Sequence, residues 1–157
     1  MTGEKADSVS ICLSKGLGAP AGSVVCGNAE FVAKARRVRK VLGGGMRQAG
    51  VLAAAGIVAL SDMVERLVED HANARKLADG LAAIDGLKID PENIKTNIVY
   101  FEIDPSIMTA AQLCQELGKQ GVRVLVSNPF QLRAVTNYHI KPSDIETALK
   151  VFENILA

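Results

Sequence analysis

From Ala49 to Leu60 the chain reads Ala-Gly-Val-Leu-Ala-Ala-Ala-Gly-Ile-Val-Ala-Leu, without a polar side chain. At helical pitch this stretch is apolar all round, and a helix with no polar face is a buried helix. It is far too short to span a bilayer. Its cover must therefore come from the rest of the fold or from another subunit. The 157 residues are enough for one ordinary domain with a sizeable core, and 48% of them are hydrophobic, which excludes disorder. A formal net charge of +1 gives no global attraction to nucleic acid or to an acidic partner. Cys12, Cys26 and Cys114 are an odd number at no metal spacing, so no metal is expected. Each lies in an apolar run and reads as a buried, reduced thiol of a cytoplasmic protein. Met1 to Ala6 has no apolar core and reads as no signal peptide.

Upstream of the apolar helix, Ser8 to Leu13 alternates polar and apolar, with Val9, Ile11 and Leu13 on one side, as a strand does. Ser14-Lys15 follows, and then Gly16, Gly18, Pro20 and Gly22 exclude regular structure. Lys15 thus sits at the mouth of a strand where the backbone permits close approach. Read from the residues alone, it is either a solvated loop lysine or a nucleophile. A lysine in a partly dry pocket has a lowered pKa and attacks a carbonyl to form a Schiff base. Gly16-Leu17-Gly18 lacks both the Lys-Ser/Thr pair of a Walker loop and the third glycine of a dinucleotide fingerprint. Gly22 to Gly27 reads as a second, buried strand.

Asn28 is placed to cap a helix with Glu30 in its first turn. Phe31, Ala35, Val38 and Leu42 follow helical spacing, and Gly43 stops it. Lys34, Arg36, Arg37, Arg39 and Lys40 form a charged face that is either solvated or reaches a phosphate at its C-terminal end. Gly43-Gly44-Gly45, then Met46-Arg47-Gln48, reads as a glycine turn opening the next helix, a natural anion site. Ser61 or Asp62 caps a further helix, with Met63, Leu67, Ala74, Leu77 and Leu81 inward and Glu65, Arg66, Asp70 and Lys76 largely outward. His71 on this helix reads as structural. Asp85-Gly86 ends it.

The second half changes style. Leu87 to Ile89 and Asn97 to Ile103 read as strands around Asp90-Pro91, and Thr109 caps a helix holding Ala110, Leu113, Cys114 and Leu117. Val122 to Val126 and Gln131 to His139 read as strands around Ser127-Asn128-Pro129. Ser143 and Glu146 form a capping-box pattern before a last helix that buries Ile145, Leu149, Phe152 and Leu156. This order predicts a small two-layer α/β unit, with helices on one face of a mainly antiparallel sheet. Arg133 on its last strand is either an outward arginine or a bidentate clamp on a carboxylate.

The run Ser10 to Ser23 resembles the lysine segment of the L-threonine aldolases of low specificity, pyridoxal-phosphate enzymes of the aspartate-aminotransferase-like fold. The resemblance continues through Gly43-Gly44-Gly45-Met46-Arg47-Gln48-Ala49-Gly50 and Glu65-Arg66-Leu67-Val68-Glu69-Asp70-His71. It reaches Leu132-Arg133-Ala134-Val135-Thr136, where Thr136-Asn137 stands in place of the family's Thr-His. Thr96-Asn97 echoes the family without an assigned contact. Members are roughly twice as long, so the resemblance is to their C-terminal half. It implies that residues 1–60 are the C-terminal part of the cofactor-binding large domain, 61–86 a connecting helix and 87–157 the small α/β domain.

The resemblance further implies Lys15 as the catalytic lysine, joined to pyridoxal 5'-phosphate as an internal aldimine. Arg47 and Lys40 would reach the cofactor phosphate of a neighbouring subunit, and Arg133 would hold the substrate carboxylate. The implied reaction is retro-aldol cleavage of L-threonine or L-allo-threonine to glycine and acetaldehyde. The implied partners are a small β-hydroxy amino acid and either a second copy of the chain, as dimer or tetramer, or a complementing N-terminal half. Nucleic acid and membrane are not expected partners. Two alternatives stay open: a truncated, inactive form that only oligomerises through Ala49 to Leu60, and a related β-eliminating lyase.

Overall fold

The computed structural model describes residues 6–157; the residues on which the reading of Met1 to Ala6 mainly rests lie outside it. The chain is α/β and divides into two compact units, Met1–Glu65 and Arg66–Ala157.

The first unit holds β1 (Ser8–Cys12), β2 (Ser23–Gly27), α1 (Ala29–Val41) and α2 (Gly50–Asp62). β1 and β2 form an antiparallel ribbon with Ser8 opposite Gly27 and Cys12 opposite Ser23. The strands are where the alternation places them, but β2 is not buried. Val9, Ile11 and Val25 are 37%, 40% and 49% exposed, because among the described residues the faces of this two-stranded sheet are little covered, α1 packing beside β2. α1 starts as expected: the Asn28 side chain accepts the Phe31 N–H at 2.8 Å.

The glycine run does not open α2. It closes α1 in a Schellman turn, with Gly43 at φ 80°. The Gly43 N–H donates to the Lys40 carbonyl and the Gly44 N–H to the Arg39 carbonyl, at 3.2 and 2.8 Å. Met46 and Arg47 are therefore loop residues, and α2 begins at Gly50 without a side-chain cap. Along α2 only Gly56 and Ala59 are buried, while Val51, Ile57, Val58 and Leu60 are 77%, 66%, 54% and 47% exposed. The burial expected of an all-apolar helix is not supplied by the described residues.

The second unit runs α3 (Leu67–Ala82), β3 (Leu87–Lys88), β4 (Ile98–Ile103), α4 (Ala110–Lys119), β5 (Leu125–Asn128), β6 (Gln131–Val135) and α5 (Pro142–Leu156). The sheet order is β3-β4-β6-β5, every neighbouring pair antiparallel. β4 alternates strictly: Val99, Phe101 and Ile103 are buried, and Ile98, Tyr100 and Glu102 are exposed. With Leu132 and Ala134 of β6 the buried set faces α3, α4 and α5, as Ala74, Leu77, Leu81, Leu113, Leu117, Ile145 and Phe152 join the same core. Phe101 and Phe152 meet edge to face, centroids 5.5 Å apart, an arrangement worth about 0.5–1.5 kcal/mol beyond burial. Thr109 and Gln112 form the full capping box of α4.

Four local readings are corrected. Ser61 and Asp62 end α2, and α3 begins only after Arg66. β5 lies later than the valine alternation suggests, because Val122 and Val124 belong to the approach that packs on α4 and the core, and pairing with β6 begins at Leu125. β6 stops at Val135. Last, α5 is capped two residues earlier, at Lys141: Pro142 takes the first position, and the Asp144 carboxylate accepts the Lys141 N–H at 2.8 Å.

Candidate active site

Lys15 follows β1 by three residues, in a loop tied to the strand's end. The Leu13 N–H donates to the Gly22 carbonyl, the Ala19 N–H to the Leu13 carbonyl, and the Gly18 N–H to the Lys15 carbonyl, at 2.9–3.0 Å. Leu13, Leu17 and Ala19 are buried and form the loop's floor, and Leu13 Cδ1 lies 3.0 Å from where a Cβ on Gly56 of α2 would be. Gly18 and Gly22 take φ of 72° and 108°, which only glycine adopts readily. The loop is thus fixed from below and held close to α2. The Lys15 side chain is exposed and, among the described residues, enters no ion pair. Among the described residues of this unit the amine is solvated, which is one of the two readings its residues left open.

Beside Lys15 stands a residue the sequence reading placed in the interior. Cys12 is exposed, as is Cys26, while Cys114 is half-buried; all three are free thiols. Cys12 Sγ lies 3.3 Å from Ser14 Oγ. That hydrogen bond, then one from the Ser14 backbone and more weakly the charge of Lys15, hold the Cys12 thiol below its ordinary value.

Lys40 is on the last turn of α1 and Arg47 in the loop after the Schellman turn. The Lys40 side chain crosses Gly45, with Nζ 3.2 Å from where a Cβ would be. Gln48, next to Arg47, has φ 51°, a conformation uncommon outside glycine, and turns the chain into α2. Lys40 and Arg47 are exposed and unpaired among the described residues.

Arg133 belongs to the second unit. It lies on the open face of the sheet, opposite Tyr100 of β4 on one side and Leu125 of β5 on the other. It is half-buried, and its Nε is buried without a hydrogen-bond partner. A buried donor left unpaired is costly, which sets this atom apart from the exposed face around it.

Asp70, read as outward, is fully buried. Arg66 Nη2 donates to its Oδ1 at 3.3 Å and to Glu69 at 3.1 Å, and the Arg66 guanidinium lies 5.8 Å from the Tyr138 ring. The i, i+4 spacing of Arg66 and Asp70 is the signal that could have shown it. His71 is half-buried, and His139 is exposed and stacked on Tyr138. No helix among the described residues is long and apolar enough to cross a membrane.

Lys15, Lys40 and Arg47 thus lie exposed on the first unit, and Arg133 lies half-buried on the open sheet face of the second. A two-stranded ribbon, a glycine-rich loop, long helices and a small antiparallel α/β unit make up an α/β fold with close neighbours among solved structures. A high-resolution structure of SPT with a PLP internal aldimine superposes with a TM-score of 0.75 at 26% identity, over 94% of this chain and 39% of that one. The beta-eliminating lyase family model matches residues 1–104, more than half of the chain, which therefore belongs to that family. The Arabidopsis thaliana protein named "Probable low-specificity L-threonine aldolase 2" is 48% identical over 97% of this chain and 43% of its own length. Low-specificity L-threonine aldolase 1 of the same plant is 42% identical over 96% of this chain and 42% of its own. The chain thus spans less than half the length of the curated relatives it matches.

Proposed function

We propose that this chain carries the lysine-bearing part of a pyridoxal-phosphate-dependent threonine aldolase, acting on L-threonine and L-allo-threonine to give glycine and acetaldehyde. The observation that carries the reading is Lys15: an exposed amine on a loop locked to the end of β1, inside the segment that the family matches. Lys15 would hold pyridoxal 5'-phosphate covalently through that amine. Lys40 and Arg47 would offset its phosphate charge. When bound, the cofactor draws electrons from the bonds around an amino acid's Cα. Arg133 would pair with the substrate carboxylate through two parallel N–H donors, fixing which Cα bond is held for cleavage.

Lys40 and Arg47 serve this role toward the site of a neighbouring copy. The function then requires a homo-oligomer, and the exposed apolar face of α2 is a surface that suits one. Three free thiols suit the reducing cytoplasm. Residues 1–60 act as the cofactor-binding part, 61–86 as the connection and 87–157 as the substrate-carboxylate part.

A second reading, favoured by the description of the matched family, is β-elimination from another amino acid. The test is product analysis of the purified chain with pyridoxal phosphate. Glycine and acetaldehyde from L-threonine support the aldolase; a keto acid and ammonia from serine or cysteine support the lyase. Cofactor uptake with neither product would leave an oligomerising module and overturn the proposed activity.

A further inference from the structure

Thr96-Asn97 and Thr136-Asn137 have no place in the proposed chemistry, yet the fold brings them together. The β4–β6 ladder ends at the pair Ile98 and Val135. One residue beyond it, the Thr136 N–H donates to the Asn97 carbonyl at 3.0 Å, and Asn97 Nδ2 donates back to the Thr136 carbonyl at 2.8 Å. The Thr136 hydroxyl donates to the Asp70 carbonyl at 2.6 Å, on the first turn of α3, and Thr136 is only 2% exposed. Asp70 is in turn held through its side chain by Arg66. α3, the start of β4 and the end of β6 are therefore clasped at one point, three residues after Arg133 in sequence.

A clasp matters here because of how a strand presents its side chains. They alternate between faces, so a slip of one residue would move Arg133 from the open face to the helix side. The β5 side pins β6 poorly, since that ladder carries a register irregularity between Val126 and Asn128. The regular ladder toward β4 is closed by the clasp.

We infer that Asn97 and Thr136 are positioning residues, which hold β6 in register so that Arg133 stays on the open face of the sheet. This rests on the reading of Arg133 as a carboxylate clamp and adds the device that aims it.

The test follows the Arg133 Nε–H resonance of the arginine-labelled full chain during titration with sodium acetate. The parent should show a saturable shift that Arg133→Lys abolishes. Asn97→Ala and Thr136→Val should weaken acetate binding roughly 5- to 10-fold, as loss of one hydrogen bond does. Thr136→Ser, which keeps the hydroxyl, should bind like the parent. No saturable Arg133 shift in the parent overturns the clamp itself. A parent shift reproduced unchanged in both Asn97→Ala and Thr136→Val overturns the clasp alone. Where those variants do not fold, amide exchange of the parent decides: the Thr136 N–H should be protected as strongly as Leu132 within the ladder, and rapid exchange there overturns the inference.

Discussion

Gly80 sits within α3, against Leu149 of α5, in the helix layer behind β4 and β6. A Cβ built on Gly80 would lie inside van der Waals contact with both methyls of Leu149 and 3.0 Å from its Cγ. Two effects oppose each other in Gly80→Ala. Alanine is favoured over glycine in a helix interior by about 1 kcal/mol. Overpacking against Leu149 costs about 1–3 kcal/mol. The single substitution should therefore destabilise by roughly 0–2 kcal/mol. The sharper quantity is the coupling. In a Leu149→Ala background the obstruction is gone, and Gly80→Ala should stabilise by about 1 kcal/mol. The coupling in the four-protein cycle is then about 1–3 kcal/mol, measured by urea unfolding followed by far-UV circular dichroism. Additivity within about 0.5 kcal/mol would refute the packing described for α3 and α5.

Asp70→Ala should cost about 3–5 kcal/mol, because it leaves the largely buried Arg66 with only the exposed Glu69; urea unfolding measures it, and a loss below about 1 kcal/mol would contradict a buried pair. Glu92, Asp104 and Glu146 are held below ordinary carboxylate values, chiefly by Arg75, by the Ser106 backbone N–H and by Lys76. Depressed native values mean stability that is present above the unfolded-state pKa and lost as pH falls through the native one. The melting temperature should thus begin to drop as pH descends through the ordinary carboxylate range and go on falling below it, and a flat profile there would count against these contacts. Ser14→Ala removes the main hydrogen bond to the Cys12 thiol, so the pH midpoint of Cys12 alkylation by iodoacetamide should rise.

The second unit was largely legible in the sequence, because its signals are local and its core is internal. Val99, Phe101 and Ile103 alternate since one face of their strand is covered by the chain's own helices, and Thr109 and Gln112 announce a helix within four residues. Asp70 and Thr136 were harder. Their burial comes from α3, β4 and β6 meeting across about 30 to 70 residues, a contact that no periodicity encodes. The first unit went wrong where pattern implies burial: Val25 and Val51 carry the composition of covered residues, and the described chain does not cover them. Three glycines before a helix can open it or close the previous one, and only the hydrogen bonds of Gly43 and Gly44 decide. Lys15 was legible as a lysine at a strand's mouth, but the choice between a solvated and a pocketed amine was not, since a pocket over it is a property of residues distant in sequence.

The most direct measurement is the attachment point of the cofactor. The chain is incubated with one equivalent of pyridoxal 5'-phosphate, reduced with borohydride and mapped by peptide mass spectrometry. The account predicts the phosphopyridoxyl increment on the peptide containing Lys15, and its loss in Lys15→Ala. An increment spread over Lys34, Lys40, Lys95 and other surface lysines, unchanged by Lys15→Ala, would contradict it.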